Sequence, residues 1–92
     1  MALEEEKLSL AGVADTIMLE FCRSVGGLEK GSPYIEKAFR EAGLNLYDPT
    51  GEQIEKAIAN LAAIETELFG EAKALENREN RLEMLKKANT IT

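Results

Sequence analysis

Ninety-two residues, 45% apolar and 30% charged, make one globular domain with a single core, because chains of this length rarely divide and bury only just enough surface to fold. A net charge of −6 repels phosphate backbones and anionic lipid on average, which argues against nucleic acid and membrane surfaces as partners. With no histidine the chain lacks the commonest general base near neutral pH and the usual zinc ligands, and its single cysteine, Cys22, excludes an intrachain disulfide.

From Leu3 to Val25 the apolar positions Leu10, Ala14, Ile17, Phe21 and Leu28 recur at steps of three, four and seven, widened by Val13, Met18, Cys22 and Val25. That pattern is one broad helical face. Glu4, Glu5 and Glu6 fall in its first turn, at the positive end of the helix dipole. Gly26-Gly27 ends the helix. Cys22, surrounded by Met18, Phe21 and Val25 with no histidine to assist it, reads as an inert core thiol.

A second, short helix is written as "EKGSPYIEKAFREAGL". Ser32 can cap it, Pro33 suits its first position and Gly43 closes it in the left-handed conformation. Tyr34, Ile35, Ala38, Phe39 and Ala42 supply the buried stripe, with Glu36/Arg40 and Lys37/Glu41 paired outside. The glycines at 26, 27 and 31 match neither the dinucleotide nor the P-loop spacing, so they mark a turn between helices.

"LNLYDPTGEQIEKAI" is a corner. Pro49 biases Asp48 away from helical geometry, Thr50 is an N-cap, and Gln53 stands three residues on, where a capping box needs it. Leu46 or Tyr47 is expected to pack against Ile54. Beyond the corner, Ile54, Leu61, Leu68, Leu75 and Leu82 fall seven apart with no proline before the end. A helix from Thr50 to Ala88 would be roughly 58 Å long at 1.5 Å per residue. A globule of this chain length is only about 32 Å across.

The expected fold is therefore all-α: a three-helix arrangement, residues 1–92 in one domain, with a long C-terminal helix whose distal part, about 71–88, projects or dimerises. The alternative is a four-helix bundle if the helix breaks near Gly70. Continuation is preferred because one glycine costs a helix interior only about 1 kcal/mol and no loop-forming residues accompany it. The second heptad row contains Glu65, Glu79 and Lys86, so the seam is too narrow for a long two-stranded coil. Leu68, Ala72, Leu75, Leu82 and Leu85 are the expected interface.

The corner also invites a family comparison. "FREAGLNLYDPTGEQIEKAI" resembles the corner of the all-helical chorismate mutases, where a Tyr-Asp-Pro-x-Arg-Glu motif opens the second helix. Tyr47, Asp48, Pro49 and Glu52 stand as in that motif, with Gly51 in place of the arginine. The resemblance implies a small dimeric enzyme in which Arg23, Lys37 or Arg40 converges with a second-chain arginine on a polar cavity.

A nucleic-acid regulator built on a helix-turn-helix is a third reading. It is weakened by the seven-residue connection from Gly43 to Pro49 and by the four acids and one lysine of "GEQIEKAIANLAAIETELF". The basic cluster Arg78, Arg81, Lys86 and Lys87 is interleaved with Glu76, Glu79 and Glu83, as on a salt-bridged exposed helix. Glutamate pairs such as Glu52/Glu55 read as solvated faces rather than metal ligands.

The leading expectation is a protein–protein interaction and homodimerisation module without catalytic activity, cofactor or metal. Its expected partner is a second copy of the chain, with a larger protein as a further partner. Three glutamates where a secretory signal carries lysines, the lone cysteine, and no apolar run near the ~20 residues that span a bilayer together suggest a cytoplasmic protein.

Overall fold

In a computed structural model, which describes residues 9–91, the chain forms helices α1 (Leu10–Ser24), α2 (Leu28–Glu41), α3 (Gly51–Phe69) and α4 (Glu71–Ile91). No strand occurs among the described residues. Each helix packs on the next, and α4 closes back onto α1. The four-helix alternative is thus the one observed.

Ser9 caps α1: its Oγ accepts the Gly12 amide at 3.0 Å, so the helix begins at Leu10. The earlier part of the expected helix, with Glu4, Glu5 and Glu6, lies outside the described residues. Val13, Ala14, Ile17, Phe21 and Cys22 form the buried face. At the C-terminus the Gly27 amide reaches back to the Cys22 carbonyl and the Gly26 amide to that of Arg23, the paired bonds of a Schellman ending.

Helix α2 begins five residues before the expected Pro33, at Leu28 directly after Gly27. Ser32 does not cap it, for its hydroxyl donates to the Leu28 carbonyl at 2.7 Å. Pro33 stands inside the helix, in its second turn, where it lacks the amide that would bond one turn back. Gly31, now inside the helix, lies against Cys22: a Cβ built on it would come within 2.5 Å of Cys22 Sγ and 2.8 Å of Cys22 Cα. The missing side chain lets the backbones of α1 and α2 meet. At the other end Gly43 takes a φ of 71°, and its amide and that of Leu44 bond the carbonyls of Arg40 and Phe39.

The corner is built as its sequence indicates, with one exception. Thr50 Oγ1 accepts the Gln53 amide at 3.1 Å, and Gln53 Oε1 accepts the Thr50 amide at 3.2 Å. The same Gln53 oxygen takes the Asn45 amide at 3.4 Å, while Asn45 Oδ1 accepts the Tyr47 amide. Tyr47 does not pack on Ile54, for it is 99% exposed, whereas Leu46 is half-covered beside Met18 and Ile54 lies within the core.

The long continuous helix is corrected by Gly70. Its φ of 97° and ψ of 161° end α3, and α4 runs back along α3 and reaches α1. The described residues span 37 Å at their longest, so the segment 71–88 does not project. The buried face of α4 is Ala74, Arg81, Leu85 and Ala88, of which Ala74 and Arg81 stand one position before the row leucines Leu75 and Leu82.

Candidate interaction surface

Helix α2 exposes one flank beside α3. Tyr34 and Leu68, 38% and 42% exposed, stand with Pro33 and Ile64 along a groove of about 520 Å³. A second hollow, of about 650 Å³, adjoins it and shares Pro33, Tyr34 and Leu68, adding Val25 and Phe69. The floor is rigid. Tyr34 meets Phe21, a fully buried core residue, edge-on at 5.9 Å between ring centroids and 75° between planes. Asn60, on α3, donates to the Ala38 carbonyl of α2 at 3.0 Å, which ties the two walls together. The rim carries both signs of charge: Lys30 and Lys37 against Glu29, Glu41 and Glu67.

The five residues expected at an interface divide. Leu68, Ala72 and Leu75 are exposed, Leu75 by 50%. Leu85 is buried, and Leu82 packs partly covered against the same core. Both are used within their own chain, because the fold-back at Gly70 brings the second half of α4 over α1 and α3.

A second feature joins α3 to α4. Glu65, fully buried, receives Arg81 on Oε1 at 2.7 Å and Asn77 on Oε2 at 3.1 Å. Both carboxylate oxygens are satisfied by α4. Glu65 spoils the heptad row in the sequence and Arg81 belongs there to an exposed basic cluster, yet the two neutralise each other inside the protein. The pair lines neither hollow, so it holds helices together and offers no surface to a ligand. Lys73 and Glu76, by contrast, form a pair in solvent at 3.2 Å.

The cations implied by the mutase resemblance do not share a cavity within one chain. Lys37 lines the α2–α3 groove, Arg40 lines a separate hollow beside Met18 and Leu46, and Arg23 is exposed. Cys22 is buried. Among the described residues no group of three or more Cys, Asp or Glu side chains is placed to hold a metal ion, and no helix is long and apolar enough to cross a membrane. Comparison of the chain with models of known families, with curated proteins and with solved structures finds no match.

Proposed function

We propose that this protein is a small helical interaction module, without catalytic activity of its own, whose partner is a second copy of the chain. One observation carries the reading: the groove between α2 and α3 in which the exposed Tyr34 and Leu68 side chains stand, bordered by mixed charge. Half-exposed aromatic and aliphatic side chains in a concave setting are what association covers most favourably. A two-fold interface sets the same patch against itself, so each rim must complement its own image. Lysines 30 and 37 beside glutamates 41 and 67 meet that requirement, whereas a rim of one sign would repel its copy.

Sedimentation equilibrium at micromolar concentration tests the proposal. The native chain is expected to reach a dimer, and Tyr34→Ser to shift it toward monomer by roughly tenfold in Kd, the effect of losing about 1.4 kcal/mol at a central aromatic contact. A native chain that stays strictly monomeric refutes self-association.

A further inference from the structure

Gly70 is the whole connection between α3 and α4. Helical hydrogen bonding runs up to it and away from it: its amide donates to the Thr66 carbonyl, and its own carbonyl accepts the Ala74 amide, both at 3.1 Å. Only its dihedrals separate the two rods, in a combination of φ and ψ essentially restricted to glycine. A Cβ placed there meets nothing within 4 Å. The bend is maintained by backbone conformation and by the docking of α4, not by crowding.

Three features converge on this hinge. Leu68, Ala72 and Leu75 are exposed around it, and their spacing of four and three would put them on one face of an unbroken helix. The bend divides them between two rods and leaves them uncovered. Secondly, the surface of α1 and α3 that receives Ala74, Leu85 and Ala88 is present in identical form on every copy of the chain. Thirdly, Arg81 needs a buried Glu65 opposite it, and a second copy supplies that carboxylate in the same register. A connection too short to relax makes exchange of the element beyond it a ready route to a dimer.

We propose that α4 is an exchangeable element. With Gly70 in helical conformation, α3 and α4 become one helix from Gly51 to Ile91, and α4 docks on α1 and α3 of a second copy. Leu68, Ala72 and Leu75 of the two chains then cover one another where the long helices meet. This association does not rest on the groove, since chains paired through Tyr34 each keep their own α4.

The Gly70→Ala variant of the full chain, refolded from denaturant, tests the inference. Alanine disfavours the observed bend and favours a helix. The expected product is a dimer that persists on dilution to nanomolar concentration, with a maximum scattering dimension well beyond that of the native monomer measured in the same way. Adding Tyr34→Ser leaves this dimer intact. A Gly70→Ala monomer of closed dimensions, or a dimer that disappears with Tyr34→Ser, overturns the proposal.

Should Gly70→Ala not fold, Glu65→Arg and Arg81→Glu chains are unfolded together and refolded as a mixture. Alone, each buries two like charges in either closure. Exchange between them gives one core with the pair reversed and one with it unchanged. A folded heterodimer supports exchange, and a mixture no better folded than its components overturns it.

Discussion

Gly31 and Cys22 set how closely α1 and α2 approach, and the tolerance is small. Alanine at 31 favours a helix by about 1 kcal/mol, but its Cβ would press on Cys22 backbone as well as on the thiol. Overpacking of this kind typically costs about 1–3 kcal/mol. Gly31→Ala is therefore expected to lower stability by up to about 2 kcal/mol in urea unfolding. Adding Cys22→Ala relieves the contact with Sγ but not that with Cα, so rescue should be partial. A gain in stability from Gly31→Ala would show that the helices have room to separate.

Gly31 also shows why part of the fold is hidden in the sequence. Gly31 and Pro33 have the composition of a turn, and only the contact with a neighbouring helix turns the glycine into a helical residue. Tyr34 belongs to the buried stripe by spacing, and it does touch Phe21, yet its outer edge forms the groove. Spacing identifies the face of a helix but not where its covering ends. Leu68 belongs to the leucine row of the sequence, but its exposure beside Tyr34 depends on how α2 lies against α3, which the row does not encode.

At the level of elements, the corner and the hairpin contrast. Thr50, Gln53 and Gly43 are local signals whose hydrogen bonds close within a few residues, so α3 starts where the sequence indicates. Helix α4 has no such clarity. Its buried stripe is two alanines, a leucine and an arginine, while leucines and glutamates alternate around it, so no amphipathic face stands out. Its one buried charge finds its partner sixteen residues away in sequence, Glu65 for Arg81, a pairing that no local pattern shows.

Removing that partner should be costly for the element. Arg81→Met leaves a buried carboxylate with Asn77 alone, and uncompensated buried charge typically costs about 3–5 kcal/mol. Glu65→Leu combined with Arg81→Met should recover most of that loss, because an apolar pair of similar volume replaces a buried ion pair at little net cost. Urea unfolding of the two variants checks this. If the double variant is no more stable than the single one, the pair contributes more than charge compensation.

For the whole molecule, the fold-back shortens an expected rod of roughly 58 Å to a body of 37 × 24 × 23 Å. The length mismatch that suggested association is thereby removed, and the surface that replaces it is lateral, between α2 and α3. If two copies pair there, folding and association are linked, and Tm should rise with protein concentration. Calorimetric scans across a tenfold dilution series measure this. A Tm independent of concentration is the result expected of an isolated chain.

The edge-on contact of Tyr34 with Phe21 has an optical consequence. The chain has no tryptophan and two tyrosines, and Tyr47 is 99% exposed and free to average its surroundings. Circular dichroism in the tyrosine absorption band should therefore originate at Tyr34, the one such ring fixed in an asymmetric setting. Whatever settles over that ring will announce itself without a dye or a label.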